Sequence, residues 1–307
     1  MSREEAERIE AMLASRPKDA SLPERREGFE TMATRFDPPD GTKVAQAQFG
    51  GVPGRRITAP NADPGRVLFW LHGGAFTVGS SASYTELCGR LSAACKMAVV
   101  CIDYRLSPEH AYPAALNDTM AAWTAVAESA EKPKVIALGG DSCGANLAIA
   151  LTQRLVREGR RLPGSIYLLS PYLDLTHSGD TIRTRDHLDA FVRPKTMPQT
   201  AAAYLGDTPS NDPGASPMFG DVDGFPPVLT HVGSREVLYD DAARFHAKLT
   251  ASGVPNELVE WEGMPHVFAF FGPLLEEGRR ATTQAGAWLA ERVRGRALSQ
   301  DHTIRIA

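Results

Sequence analysis

The sequence lacks any long apolar run and any strong excess of one charge. Its 33 basic and 37 acidic residues give a formal net charge of −4, and its isoelectric point is about 6.1. A chain with so little net charge offers no electrostatic reason to bind a nucleic acid or an anionic membrane surface. No apolar stretch approaches the roughly 18 residues that cross a bilayer. We therefore expect neither a nucleic acid nor a membrane as a partner.

Cysteine is scarce as well: the chain has four, at positions 88, 95, 101 and 143. No two of them form the C-x-x-C pair of zinc and redox sites. Free thiols, which are typical of a reducing compartment, are therefore favoured over disulfides or a zinc site. Residues 1–5 are charged and lack the apolar core of a secretory signal. We expect a cytoplasmic protein without a metal centre.

Short apolar runs alternate with helical patterns through most of the 307 residues. Before them, an alternating pattern around a glycine-rich turn at 50–54 predicts an antiparallel hairpin. Strands that alternate with helices imply an α/β fold with a mainly parallel sheet, here of about eight strands, covered on both faces. The predicted strands lie at 44–49, 55–58, 67–71, 98–102, 135–138, 166–169, 228–232 and 257–261, and the helices between and after them lie near 84–95, 114–129, 145–157, 240–251 and 275–294.

Two parts of the chain stand outside this alternation. Amphipathic helices are predicted at 3–14 and 23–36, before any strand, so they must pack onto elements that come later. Residues 172–225, with one helix predicted near 197–205, exceed by far a usual connection of about six residues. We expect both parts to form a helical cap over the carboxyl edge of the sheet, where such sheets bind ligands. The predicted division is 1–45 for the N-terminal cap helices, 46–171 for the first part of the core, 172–225 for the cap insertion and 226–307 for the second part of the core.

The most informative segment is Gly139-Gly140-Asp141-Ser142-Cys143-Gly144, which lies between an apolar β-branched run and a helical pattern. Strand, G-x-S-x-G and helix form the context of a nucleophile elbow, in which a serine projects from a tight turn. Gly140 and Gly144 fit because such a turn leaves almost no room for flanking side chains. Ser142 would lie at a helix start, where free N–H groups and the helix dipole favour developing negative charge. Ser142 is therefore the predicted nucleophile.

A nucleophilic serine also needs donors for the oxyanion, and a second glycine-rich segment supplies candidates. His72-Gly73-Gly74-Ala75-Phe76 directly follows the predicted strand at 67–71. Its glycines allow backbone N–H groups to approach a carbonyl oxygen closely. The N–H group of Cys143, one residue past the serine, would be a further donor.

The base must be a histidine that follows the acid. In enzymes with a nucleophile elbow of this kind, the chain order is Ser, then Asp or Glu, then His. Of the eight histidines, His246, His266 and His302 come late enough. His246 falls within a predicted helix and His302 in a tail, whereas His266 lies in a loop after a predicted strand. A base in such a loop can reach over the carboxyl edge of the sheet. We predict His266 as the base.

The acid should come just after the predicted strand at 228–232. Glu236 lies there, with Asp240 and Asp241 slightly further on. The two aspartates fit the first turn of a helix, where the helix dipole favours acidic side chains for structural reasons. We predict Glu236 as the acid that orients the base.

Together these motifs resemble the hormone-sensitive-lipase-like family of bacterial carboxylesterases. The resemblance spans residues 66–270 and implies an α/β-hydrolase core with a mostly helical cap. It also implies esterase activity on short to medium acyl esters, and an acid two residues before a leucine, where Glu236 precedes Leu238. The segments that carry it are His72-Gly73-Gly74-Ala75-Phe76, Asp103-Tyr104-Arg105-Leu106-Ser107-Pro108-Glu109-His110, Gly140-Asp141-Ser142-Cys143-Gly144 and Gly263-Met264-Pro265-His266.

By the family's pattern, the oxyanion donors are the N–H groups of Gly74, Ala75 and Cys143. Ala75 stands where the family usually has a third glycine, and Cys143 stands where alanine usually follows the serine. Glu236 replaces the usual aspartate, a change that triads tolerate. An alanine still donates its N–H group, although its methyl narrows the site. We interpret Cys143 as a small buried thiol rather than a second nucleophile, because Ser142 holds the apex of the elbow.

Other charged residues in these segments are expected to fix loops through hydrogen bonds rather than to react. Asp174, which follows the predicted strand at 166–169, is expected to buttress the loop of the acid or the cap. The loop-fixing residues are Asp103, Arg105, Glu109, Asp118 and Asp141.

The sequence therefore predicts a serine esterase that uses no metal or cofactor and whose partner is a small-molecule ester. A lactonase, or an amidase-like deacylase or formamidase, would use the same triad, and the sequence does not separate these reactions. A ligand-binding relative, like the gibberellin receptors that resemble this family, is disfavoured because Ser142, Glu236 and His266 are all present. The resemblance also makes a homodimer through the last strand and helix an option, although nothing in the sequence itself indicates one.

Overall fold

The computed structural model describes residues 3–15, 17, 20–129, 133–292 and 302–306. Within those ranges the strands join into a single sheet of nine. They are β1 (Lys43–Phe49), β2 (Val52–Thr58), β3 (Asp63–Leu71), β4 (Met97–Ile102), β5 (Val135–Asp141), β6 (Ile166–Leu169), β7 (Val228–Gly233), β8 (Asn256–Trp261) and β9 (His302–Ile306).

Helices precede the sheet and connect its strands. Three of them occupy the positions predicted for the cap helices, and most of the others follow a strand of the core. They are α1 (Arg3–Ala14), α2 (Leu22–Ala33), α3 (Thr85–Cys95), α4 (Ala114–Ala127), α5 (Cys143–Arg157), α6 (Thr181–Thr184), α7 (Met197–Leu205), α8 (Tyr239–Ala251) and α9 (Glu276–Arg292), with short 3-10 turns at Pro194–Thr196, Pro217–Phe219 and Phe268–Phe271.

The sheet is mainly parallel, as predicted. Its strand order is β1-β2-β4-β3-β5-β6-β7-β8-β9. β1 pairs with β2 and β2 with β4 in antiparallel fashion, and every later neighbour in this order is parallel. The hairpin predicted before the alternating region therefore forms one margin of a parallel α/β sheet.

The described residues contain nine strands, one more than the eight that were located in the sequence. β9 pairs in parallel with β8 at the sheet margin, and it begins at His302, which we expected in a tail. The segment is only five residues long and has two apolar residues, of which Ile304 is 39% exposed. An edge strand this short and this exposed leaves too little periodicity for a prediction from sequence.

The central strands are buried because helices cover both faces of the sheet. In β3, Val67, Phe69 and Leu71 pack on the face that carries α4 and α5. The alternate residues Leu68 and Trp70 pack on the opposite face, with α3 and α9. All five side chains are fully buried, so β3 and its neighbours have a near-continuous apolar sequence.

The two N-terminal helices of the predicted cap contact loops at the carboxyl ends of the strands. Arg26 of α2 donates to the carbonyl oxygen of Thr77, after β3, and forms an ion pair with Glu109, after β4. Glu10 of α1 forms an ion pair with Arg235, after β7. These contacts lie at the edge where the loops after β3, β5, β7 and β8 come together.

The turn from β5 into α5 is packed too closely for side chains. A Cβ atom added to Gly144 would lie 2.0 Å from the carbonyl oxygen of Leu71 in β3. Backbone cannot move aside as the tip of a long side chain can. Gly144 therefore allows α5 to begin directly against the sheet.

We predict that Gly144→Ala lowers the free energy of unfolding by about 1–3 kcal/mol, because the methyl group would push α5 away from β3. Urea denaturation followed by circular dichroism would measure the change. The matched control is Gly28→Ala within α2, where an added Cβ meets nothing within 4 Å. Alanine at an open helical position should stabilise by about 0.5–1 kcal/mol. Similar shifts in the two variants would contradict this account of the turn.

Candidate active site

Ser142 lies at the apex of the turn between β5 and α5. Its φ of 52° and ψ of −120° place a non-glycine residue in a strained backbone conformation. Its side chain stands at the start of α5, and the residue is 8% exposed. The sequence-predicted elbow is therefore present, with the serine at the carboxyl edge of the sheet.

His266 and Glu236 form a hydrogen-bonded line with Ser142. The Nε2 atom of His266 lies 3.0 Å from Ser142 Oγ, and its Nδ1 atom lies 2.8 Å from Glu236 Oε2. Glu236 has no exposed surface, and His266 is 1% exposed. Three residues that follow β5, β7 and β8 thus form one hydrogen-bonded line, with His266 between Ser142 and Glu236.

The alternative residues weighed from the sequence have other partners. Asp240 accepts a hydrogen bond from Thr181 N, and Asp241 accepts from Leu173 N and Asp174 N. His246 lies in α8, and its Nε2 atom is 3.5 Å from Thr303 Oγ1. The side chain of His302 lies outside the described residues.

Burial and the neighbouring carboxylate act in opposite directions on His266. Burial by itself lowers the pKa of the imidazole, but the hydrogen bond and the negative charge of Glu236 outweigh it. The pKa of His266 is therefore raised above its usual value. An imidazole with a raised pKa that bonds to a serine hydroxyl can accept the proton of that hydroxyl.

The loop after β3 contacts both neighbours of Ser142. Gly73 N donates to Asp141 Oδ1 over 3.0 Å, and Phe76 N donates to Cys143 Sγ over 3.1 Å. The predicted donors Gly74, Ala75 and Cys143 therefore belong to two segments that are bonded to each other beside Ser142. Gly74 has a φ of 117°, and a Cβ atom there would lie 2.0 Å from the carbonyl oxygen of Val78.

Two charged groups of the matching segments fix loops as expected. Asp141 is buried and accepts hydrogen bonds from Gly73 N and from the Tyr84 hydroxyl. Burial raises the pKa of Asp141 to about 7. Arg105 pairs with Asp118 at 2.7 Å, which holds the start of the loop after β4.

Within the described ranges, no cluster of three or more His, Cys, Asp or Glu side chains could hold a metal ion. None of the helices in those ranges combines the length and the apolar character needed to cross a membrane.

A family model described as alpha/beta hydrolase fold matches residues 68–270, about two thirds of the chain. The chain belongs to the α/β-hydrolase family. An acetyl-hydrolase of Streptomyces hygroscopicus is 38% identical over 257 residues, which is 80% of this chain and 86% of the relative. An esterase of Acinetobacter venetianus is 37% identical over 240 residues, which is 78% of this chain and 79% of the relative.

Solved structures place the chain more closely within that family. A crystal structure of an esterase from the bacterial hormone-sensitive lipase family superimposes with a TM-score of 0.91 at 33% identity, covering 94% of this chain and 98% of the other. A hormone-sensitive lipase from a metagenome library gives a TM-score of 0.91 at 29% identity, with coverages of 95% and 99%. The α/β hydrolase described here is a carboxylic ester hydrolase of the hormone-sensitive-lipase-like type.

Ser170, which was not predicted from the sequence, holds the Glu236 carboxylate. The Ser170 hydroxyl donates to Glu236 Oε1 over 2.6 Å and accepts from Val267 N, the residue after the base, over 3.0 Å. Gly233 N donates to the same carboxylate oxygen over 2.6 Å. A signal was present, because Ser170 directly follows a buried strand at the same edge as the other functional loops.

A contact between residues 189–192 and His266 was also not predicted from the sequence. The Phe191 ring lies against the His266 ring, with 5.6 Å between centroids. Asp189 holds this segment, because its Oδ1 atom accepts from Phe191 N and Val192 N and its Oδ2 atom accepts from Val237 N. One buried carboxylate therefore joins residues 191 and 192 to the residue after Glu236.

Asp174 has the buttressing contacts expected of it, although on the cap side. Its carboxylate accepts hydrogen bonds from Thr176 and Ser178 at the start of the cap insertion. It also pairs with Arg244 of α8 at 2.9 Å. The start of the segment 172–225 is thereby anchored to α8.

We predict that Ser170→Ala lowers the kcat of this hydrolase about tenfold, because Glu236 loses a donor and the buried Val267 N loses its acceptor. Initial rates on p-nitrophenyl butyrate would measure the loss. Ser170 has a φ of 49°, which is strained for any residue with a Cβ atom. An effect of this strain on the kcat of the alanine variant must therefore be separated from the loss of the hydroxyl. Ser170→Gly suits that φ and also removes the hydroxyl, so it should lose as much activity as the alanine variant.

The matched control is Ser165→Ala, which removes a buried hydroxyl that has no hydrogen-bond partner among the residues that the structure describes. This variant should retain wild-type kcat. Recovery of wild-type kcat in Ser170→Gly would contradict a role for the hydroxyl.

Proposed function

We propose that this ester hydrolase is a serine carboxylesterase that cleaves short- to medium-chain acyl esters through an acyl-enzyme. The observation that carries the proposal is the buried line from Ser142 Oγ to His266 to Glu236, with distances of 3.0 and 2.8 Å. Its geometry is that of an activated nucleophile, in which the base is itself oriented by an acid.

In the first half of the reaction, Ser142 Oγ attacks the ester carbonyl while His266 Nε2 takes the hydroxyl proton. Glu236 accepts a hydrogen bond from Nδ1–H, which fixes the ring and stabilises the imidazolium that forms. His266 then gives its proton to the leaving alkoxide, and the alcohol departs. Ser142 is left as an acyl ester.

In the second half, water attacks the acyl-enzyme and His266 again acts as the base. The same tetrahedral geometry recurs, and its collapse releases the carboxylic acid and regenerates the Ser142 hydroxyl. Water is the only co-reactant, and neither half changes an oxidation state.

The proposed oxyanion donors are the N–H groups of Gly74, Ala75 and Cys143. The first N–H groups of a helix have no partner within the helix, which leaves Cys143 N in α5 available for a substrate oxygen. Bonds from Gly73 N to Asp141 and from Phe76 N to Cys143 hold the ends of the loop that carries the other two. Removing one such donor typically costs about 3 kcal/mol of barrier.

A short acyl group fits the enclosure of the nucleophile. Ser142 is 8% exposed, and the Phe191 ring of the cap covers His266. Two relatives, at 38% and 32% identity to this chain, have names that contain acetyl-hydrolase. These names support esters with a short acyl group as the substrates. The proposed partner is thus a small ester.

We predict that the enzyme hydrolyses p-nitrophenyl acetate and butyrate faster than a matched lactone or anilide of equal acyl length. Ser142→Ala should lose at least about a thousandfold in kcat with both esters, because it removes the nucleophile. Rates within tenfold of wild type in Ser142→Ala would overturn the proposal. A faster rate with the lactone or the anilide would be compatible with the proposed triad, but it would mean that the preferred substrate is a lactone or an amide rather than an open-chain ester.

We predict that kcat/KM falls as the pH drops below the raised pKa of His266, because only the neutral imidazole can act as a base. Glu236→Gln removes the carboxylate that raises this pKa. Its acidic limb should therefore shift to lower pH, and its kcat should fall by roughly a thousandfold or more. Stopped or continuous assays from pH 5 to 9, in buffers of constant ionic strength, would measure both effects.

The control for Glu236 is Asp240→Asn, four residues along the chain. Asp240 accepts a hydrogen bond from Thr181 N, which an asparagine oxygen can also accept. In Asp240→Asn, the acidic limb of the pH profile should lie at the same pH as in the wild-type enzyme, and kcat should be near the wild-type value. A larger loss in Asp240→Asn than in Glu236→Gln would transfer the role of the acid to Asp240.

A further inference from the structure

The loop after β3 contains two adjacent residues in the left-handed region. Ala75 has a φ of 52° and Phe76 a φ of 60°. Each L-residue with a Cβ atom pays roughly 1–2 kcal/mol in this region, so the turn persists only where its surroundings hold it. The turn matters because Ala75 N is one of the proposed oxyanion donors.

Contacts from three elements hold Phe76. Its carbonyl oxygen accepts hydrogen bonds from Ser107 N and Ser107 Oγ, in the loop after β4. Its ring stacks on Tyr204 of α7, with centroids 3.6 Å apart and the rings 7° from parallel. Its N–H group donates to Cys143 Sγ over 3.1 Å. The contact with Cys143 is the one that ties the turn to the elbow.

The Cys143 thiol is suited to accept a hydrogen bond rather than to react. The residue has no exposed surface, and burial raises its pKa to about 12. The Tyr104 hydroxyl lies 3.7 Å from the same sulfur and donates to the carbonyl oxygen of His72 over 2.7 Å. A neutral thiol enclosed by these groups is neither a nucleophile nor open to oxidants in solution.

We propose that Cys143 is a positioning residue for the oxyanion loop: its sulfur holds the Phe76 N–H group and thereby sets Ala75 N beside Ser142. The inference rests on the proposed function, because it concerns the donors of that same site. An alanine at 143 has no acceptor for Phe76 N–H. A glycine at 75 reaches positive φ without cost and so depends less on that acceptor. Cys143 and Ala75 are therefore a coupled pair.

The test is a double-mutant cycle with Cys143→Ala, Ala75→Gly and the double variant. Rates on p-nitrophenyl butyrate are divided by the concentration of active sites, titrated with a fluorophosphonate probe. Cys143→Ala should lose about fivefold to tenfold in kcat with little change in KM, since the oxyanion exists only in the tetrahedral state. In the Ala75→Gly background, the fold loss in kcat caused by Cys143→Ala should be less than half of the loss in the wild-type background.

Two further variants separate positioning from stability. Cys143→Ser keeps an acceptor at the same place and should recover most of the lost kcat. Cys95→Ala removes another fully buried thiol, at the end of α3, and should lower the melting temperature without changing kcat. A Cys143→Ala enzyme that loses stability as Cys95→Ala does, but keeps wild-type kcat per active site, would overturn the inference.

The inference and the proposed function fail separately. Wild-type turnover in Ser142→Ala would remove the proposed function and the positioning role with it. An inactive Ser142→Ala enzyme combined with additive effects of Cys143→Ala and Ala75→Gly would remove the positioning role alone. A loss of kcat in Cys143→Ser as large as in Cys143→Ala would do the same, because a hydroxyl also accepts a hydrogen bond.

Discussion

A carboxylate with no exposed surface decides how the rest of this site is built. An unpartnered buried carboxylate is costly, so both oxygens of Glu236 need donors. Oε1 receives Ser170 Oγ–H and Gly233 N–H, and Oε2 receives the ring of His266. These donors come from the ends of β6, β7 and β8, which are neighbours in the sheet. The register of three parallel strands therefore fixes the acid, and through it the orientation of the proposed base.

The other half of the site is organised from β3 and β5. Asp141 and Cys143 flank Ser142, and each accepts one N–H group of the loop after β3. Ser142 thus lies between two acceptors that set the loop of proposed oxyanion donors, while its hydroxyl faces His266. Ser142 is the one member of the proposed triad that both halves share.

A position after a buried strand was the signal that could be used in the sequence. Chain order and strand endings limited the candidates to a few, and Ser142, Glu236 and His266 lie within hydrogen-bond distance of one another in the structure. Ser170 also follows a buried strand, but a serine has many uses, and only its contact across 66 residues identifies this one. Asp189 lies in a segment without periodicity, so its bonds to the loop of the acid could not be predicted. The ninth strand was not predicted because a segment of five residues with two apolar ones carries little pattern.

The Asp189 carboxylate has a consequence for how the substrate range of this fold can change. Its two oxygens bind the segment that carries Phe191 and also the backbone beside Glu236. Exchange of residues 172–225 for the matching segment of a relative would remove this acceptor unless position 189 kept an acid. Changes in that segment are therefore constrained by the loop after β7. Recombination of the segment between relatives is expected to succeed only where the Asp189 contacts are preserved.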